Sequence, residues 1–352
     1  MSRIGAAMVA YLKDSARASS EGWDAFWFRP ADPTLLGVIR ILTGLMLVYT
    51  HAVWGLVLPD FFGETSWLNE PLVRAISTGA YRYSFWWLVP QGMIWPAHAL
   101  SMVILVMFTV GFRSRITSVL SFLITVSYAY RAPAATFGLD QINAMLSLYL
   151  SIGPSGAALS VDRWLARRRG QVIGDRPEPS ASANLALRLI NVHMCVIYLF
   201  AGISKLQGEA WWNGEAMWRA FANYEYQTFD MTWMAWHPWL INLATHITIV
   251  WEISFVSLIW RPRWKPIVLL GGVVMHLGIG LCLGMWTFGL IMLVGCSSFL
   301  PTDAVGGMVA AMLRRRPRPE PVESPSYPAP VSRLPIRVEA MEPSLAGVAD
   351  ND

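Results

Sequence analysis

An all-α, polytopic transmembrane helix bundle of about eight spans, with interfacial helices in two outward-facing excursions, is the fold this sequence predicts. Three observations carry that expectation. Apolar residues make up 55% of the 352-residue chain and charged residues only 14%, against about 25% charged in a soluble domain. The apolar residues gather in runs that cross about 30 Å of hydrocarbon at 1.5 Å per helical residue. Many of the 18 tryptophans and most basic residues stand at run ends, where aromatic belts and cationic anchors belong.

Residues 1–34 read as a cytoplasmic or interfacial lead-in: mixed and amphipathic, unlike a cleavable signal peptide. The first span is 35–58 and contains Arg40. Residues 59–85 are a polar excursion with Asp60, Glu64, Glu70, Arg74 and Arg82. Spans at 97–112 and 116–130 flank the basic turn Gly111-Phe112-Arg113-Ser114-Arg115. The second of these is followed by a span at 139–152 that opens Asp140-Gln141-Ile142-Asn143. Asp140 and Asn143 share a helix face, and such a face wants partner helices or a cavity rather than lipid. A linker at 153–184 holds Arg167, Arg168 and Arg169 and several prolines. The fifth span, 185–206, ends at Lys205. A second polar excursion, 207–238, carries Trp211, Trp212 and Trp218. The sixth span, 240–260, contains Glu252. Residues 267–300 carry no charge; the run is too long for one pass and reads as two short spans turning near Gly284, or as a re-entrant pair. The parts are therefore a lead-in at 1–34, a membrane domain at 35–301 and a Pro- and Ser-rich tail at 302–352, expected to be disordered and cytoplasmic.

Eight spans place alternate loops on alternate sides. One side collects the basic residues of 1–34, 113–115, 153–184, 261–265 and the tail. The other holds only Arg74, Arg82, Arg131, Lys205 and Arg219. The positive-inside rule puts the first side, with both termini, in the cytoplasm of a plasma (inner) membrane protein. Lys205 and both excursions then face outward.

The net charge of +4 follows from these loops, so no nucleic-acid partner is expected; the partner is the lipid bilayer. The six histidines are scattered with no two at i, i+3 or i, i+4, and Cys195, Cys282 and Cys296 lie inside apolar runs. Neither a metal site nor a disulfide framework is indicated. Ionisable groups in hydrocarbon are costly and mark candidate sites. They are Asp140, Lys205, Glu252 and His276, with His193 and His246 behind them. Each has a plain alternative. Arg40 pairs with Asp140 or Glu252 in a structural ion pair, and Lys205 snorkels among headgroups. The sharper reading of Lys205 is a desolvated amine able to accept a proton.

Ala201-Gly202-Ile203-Ser204-Lys205-Leu206, followed by Trp212-Asn213-Gly214 and Met217, resembles the signature of the vitamin K-dependent gamma-carboxylases, whose bacterial relatives are grouped as the horizontally transferred transmembrane (HTTM) domain. Arg40-Ile41-Leu42-Thr43-Gly44, Gly111 to Ile116, Ser160-Val161-Asp162, Glu252 and Met275 to Gly280 are similar to further blocks of that family, in order, over roughly 25–301. The resemblance implies a quinone site in which Lys205 removes a proton from vitamin K hydroquinone, or menaquinol here, as a co-substrate that is not covalently bound. His276 or Glu252 would orient the quinol, Trp211 and Trp212 would line its way in, and Asp140 and Arg40 would assist binding. Two departures stand out. Gly138-Leu139-Asp140-Gln141 lacks the Asn-His pair at that place in the family, and no large soluble region follows the spans. Protein-glutamate carboxylation is therefore not expected. The rival readings are a non-enzymatic scaffold or lipid- or quinone-binding protein and, more remotely, a transporter.

Overall fold

A computed structural model describes residues 3–77, 83–171, 174 and 176–313. Arg82 and the tail beyond Leu313 lie outside the described residues. Within them the chain is all helix and turn. The elements are α1 (Arg3–Phe28), α2 (Thr34–Leu56), α3 (Leu58–Phe62), α4 (Glu70–Ile76), α5 (Ile94–Val110), α6 (Ser114–Arg131), α7 (Gly138–Ile152), α8 (Val161–Arg168), α9 (Ala181–Lys205), α10 (Glu209–Trp212), α11 (Ala216–Phe221), α12 (Pro238–Leu258), α13 (Lys265–Leu283), α14 (Trp286–Ser297) and α15 (Thr302–Leu313).

Among the described residues five helices are long and apolar enough to cross a membrane: Thr34–Leu56, Gln91–Val110, Ala181–Lys205, Pro238–Leu258 and Lys265–Leu283. A sixth arises if Trp286–Ser297 and Thr302–Leu313, bent by 108°, count as one. The expected count of eight thus exceeds what length and composition support. The difference lies in the third, fourth and eighth runs. α6 is polar because Ser114, Thr117, Ser118, Ser121, Thr125 and Ser127 are buried along it, facing neighbours rather than lipid. α7 has 15 residues and α14 only 12. The second run is longer than expected, because Trp95 and Pro96 belong to the first turn of α5, where proline costs no internal hydrogen bond. The uncharged stretch from 267 divides at Gly284, as expected. Thr302–Leu313, expected in a disordered tail, forms a helix instead.

Side-chain contacts give each helix its direction. At one end of the bundle, Arg40 near the start of α2 reaches the carbonyls of Ser155, Ala158 and Leu159 beyond α7. At this end also, Asp162 at the start of α8 accepts from the Arg113 and Ser114 amides at 2.8 Å each. The Asn184 amide and the Arg188 guanidinium near the start of α9 donate to Phe26 O at 2.8 and 3.2 Å. Trp260, past the end of α12, packs on Phe26 and Phe299. The principal helices α2, α5, α6, α7, α9, α12, α13 and α14 consequently alternate in direction. At the opposite end, buried Arg131 anchors the first excursion through Leu68 O at 2.9 Å and the Ser66 hydroxyl at 3.3 Å. Thr245 binds the second excursion through the Met217 amide and Gly214 O.

Asp162 also takes the Ser114 hydroxyl at 2.7 Å. Burial alone would raise its carboxyl, but the Ser114 amide and hydroxyl and the Arg113 amide, with the Arg40 charge nearby, hold it below the usual carboxylate range. A depressed folded value stabilises above the unfolded pKa of about 3.9 and loses that contribution as pH falls through the folded value. A plot of unfolding midpoint against pH is therefore expected to drop below about pH 4, and less steeply in Asp162→Asn.

Candidate functional site

Lys205 closes α9, and its Nζ donates to Glu252 Oε1 of α12 at 2.8 Å, with Oε2 also at 2.8 Å. The side chains are 21% and 7% exposed, so this ion pair is largely removed from solvent. Close helix approach makes it reachable. A Cβ on Gly202, one turn before Lys205, would stand 2.7 Å from Ile253 Cγ1 and 3.3 Å from Glu252 Cβ. The Trp211 ring centre lies 5.3 Å from Nζ, a cation–π distance. Trp212 does a different job: its indole N–H donates to Leu206 O at 2.7 Å, satisfying a carbonyl that the helix end leaves open.

Lys205 is therefore not a lone amine. Nor does Arg40 pair with Asp140 or Glu252; Glu252 is taken by Lys205. Arg40 lies near the other end of the bundle, because α9 starts beside Arg40's loop and ends, about 36 Å later at 1.5 Å per residue, at Lys205. Arg40 thus lies apart from the Lys205–Glu252 pair, bound to the carbonyls of Ser155, Ala158 and Leu159.

A second cluster lies deeper between α9, α12, α13 and α14. Tyr198, seven residues before Lys205 and on the same helical face, meets His276 Nε2 at 2.7 Å and Cys296 Sγ at 3.2 Å. Its ring packs on Phe255 and Trp251 with centroids at 4.3 and 5.0 Å. His276, 2% exposed, thus hydrogen-bonds Tyr198 rather than the ion pair. Tyr198 escaped notice in the sequence because a tyrosine in an apolar run carries no charge; its spacing from Lys205 was the available signal.

Asp140 stands at the start of α7, where its carboxylate accepts the Phe137 amide at 3.0 Å. It lines a cavity of about 340 Å³ with Tyr49, Trp54, Phe61, Phe137 and Thr287. Because α7 and α9 run antiparallel, this cavity lies at the Lys205 end of the bundle, although Lys205 does not line it. Phe288 bridges the two regions, beside Gly138 on one side and 6.1 Å from the His276 ring on the other. Asn143, 1% exposed, faces the interior as its spacing from Asp140 suggested. His193 meets the Tyr149 hydroxyl at 2.9 Å, and exposed His246 meets its own helix at Asn242 O. A buried pair was missed altogether. His98 Nδ1 meets the Tyr128 hydroxyl at 2.7 Å, and the His51 ring stands 4.4 Å from that of Tyr128. Among the described residues no group of three His, Cys, Asp or Glu side chains could hold a metal ion.

No curated protein and no solved structure matches the chain. The family profile described as HTTM domain matches residues 28–303, which takes in α2 through α14 and with them the Lys205–Glu252 pair, the Tyr198–His276 cluster and the Asp140 cavity. Multi-pass helices and a match over most of the chain agree, and the chain belongs to the HTTM domain family.

Proposed function

We propose that this protein binds a reduced quinone and removes a phenolic proton with the Lys205–Glu252 pair, in chemistry related to that of the vitamin K-dependent gamma-carboxylases its motifs resemble. The observation that carries the reading is an amine and a carboxylate from two different helices, 2.8 Å apart and mostly buried, beside an aromatic ring. In such a pair the ammonium passes a proton to the carboxylate, and the freed amine takes the quinol's. The ammonium formed next to the new oxyanion stabilises it, strongly so in a site with little water. Oxidation of the quinolate by dioxygen then follows, as the resemblance implies. The cavity beside Asp140 has the size and aromatic lining that small-molecule sites require, about 300–1,000 Å³; Lys205 does not line it, so in this reading the cavity receives the quinol and Phe288, between the two regions, moves aside for the ring to reach the amine. Trp211 borders the amine, and Tyr198 with His276 supports the helix face that presents it.

The test is quinol-dependent oxygen uptake by purified protein. Lys205→Ala is expected to abolish it, and equal uptake by wild type and variant would end this reading. The second reading is a structural clamp between α9 and α12 in a protein that binds quinone or lipid without turnover. It is favoured by the burial of the pair and by the direct hydrogen bond from the ammonium to Glu252 Oε1. Its signature is an unfolding midpoint raised by menaquinol, with no oxygen uptake by the wild type.

The alternating helices and the basic-residue count also support eight membrane passages in the plasma membrane, α6, α7 and α14 crossing in contact with neighbours, with both termini cytoplasmic and Lys205 outside. A reporter active only outside the cytoplasm is expected to work when inserted near Asn213 and to fail at the C-terminus. The reverse pattern overturns the orientation.

A further inference from the structure

We propose that Arg188 and Lys265, brought together where the end of α1, the start of α9 and the turn between α12 and α13 meet, bind the phosphate of an anionic phospholipid. Arg188 is held from one side. Its Nε donates to Phe26 O at 3.2 Å, and its Cζ lies 4.7 Å from the Phe26 ring centre and 5.9 Å from that of Trp260. Its two Nη groups donate to nothing among the described residues. Trp260 leads into the turn Arg261-Pro262-Arg263-Trp264, and Lys265 follows at once. Lys265 stands close enough to Arg188 for the two charges to oppose each other. Neither cation has an acid partner among the described residues. Glu21 of α1 pairs with Arg17, and Asp24, Glu178 and Asp303 are exposed and pair with neither.

Both side chains are half-buried, so two like charges share a place where water screens them poorly. One phosphate between them offsets both. The free edge of the guanidinium suits two of its oxygens, and the ammonium takes another as a point charge. The surroundings select a lipid over a soluble anion. Trp264 is 49% exposed, and Ile267 and Leu270, in the first two turns of α13, are 60% and 63% exposed. A free phosphate leaves those surfaces uncovered, whereas acyl chains lie along them. Basic sites between membrane helices are a recurring form of lipid headgroup site. About 25 Å of α9 separates Arg188 from Lys205, so this site stands or falls apart from the quinol reading.

The experiment uses the full chain in neutral detergent. Dioleoyl phosphatidylglycerol, dioleoyl phosphatidylcholine and inorganic phosphate are titrated separately while the unfolding midpoint is followed. Phosphatidylglycerol is expected to raise the midpoint saturably and the other two to leave it in place. Lys265→Gln is expected to weaken that binding about fivefold, the factor for one cation at an anionic headgroup surface, and Lys265→Arg to keep most of it. Lys265→Glu sets a carboxylate beside Arg188. It is expected to abolish the lipid shift while the lipid-free midpoint stays at or above that of the wild type, which separates an occupied site from a damaged fold. No shift with phosphatidylglycerol, an equal shift with phosphatidylcholine or with phosphate, wild-type affinity in the glutamine or glutamate variant, or a lipid-free midpoint lowered by Lys265→Glu overturns the proposal.

Discussion

Arg40→Ala is expected to destabilise the protein by about 3–5 kcal/mol, the range for stripping the partner from a buried charged network. Arg40 is 0% exposed. It donates through Nη1 to the carbonyls of Ser155 and Ala158 and through Nη2 to that of Leu159. These carbonyls belong to the loop after α7, where Leu159 takes a left-handed φ of +50° that a non-glycine residue adopts at a cost. With the guanidinium gone, buried acceptors are orphaned at about 1–3 kcal/mol each, and the loop loses what holds that conformation. The neighbouring backbone is built around the same group: Gly111 sits at φ +72°, and a Cβ there would stand 2.8 Å from Arg40 Cζ. Arg40→Lys is expected to recover little, because an ammonium cannot reproduce the fork. Denaturant or thermal unfolding followed by circular dichroism reads the effect. A loss under about 1 kcal/mol would mean that water replaces the guanidinium.

Lys205→Met is expected to cost about as much, roughly 3–5 kcal/mol, for a different reason. It leaves Glu252, 7% exposed, facing apolar neighbours without its cation. Glu252→Gln should cost less, since Lys205 at 21% exposure has partial access to water. The double variant Lys205→Met/Glu252→Met is expected to regain most of the loss, because an apolar pair of similar volume often matches a buried ion pair in stability. All three are expected to be inactive toward quinol. A double-mutant cycle on unfolding free energy, run beside oxygen uptake, separates the two roles. Additive single effects would show that the two groups do not interact in solution. Full activity in the double variant would leave the pair with only a structural task.

Part of the candidate site was legible in advance. Lys205, Glu252, His276 and Asp140 stood out because charge or imidazole in an apolar run is costly whatever surrounds it. Their partnerships were not legible. Glu252 seemed as fit a partner for Arg40 as for any other cation, and only the approach at Gly202 selected Lys205. Trp211 and Trp212 are adjacent in sequence, yet one faces the ammonium and the other caps a helix. Length and composition alone do not mark α6 as a span, because its serines and threonines lower the apolar average, and composition does not tell a polar face turned to lipid from one turned to another helix.

The sequence by itself determined the membrane class, the place of each principal helix and the residues worth suspecting. Those properties depend on the local length and content of apolar runs, which a chain carries wherever it folds. The tertiary structure alone decided which charges meet, which end of the bundle Arg40 occupies and where space for a ligand remains. Such contacts join residues far apart in the chain, 47 positions for Lys205 and Glu252 and about 115 for Arg40 and its loop. They exist only once helix faces have packed.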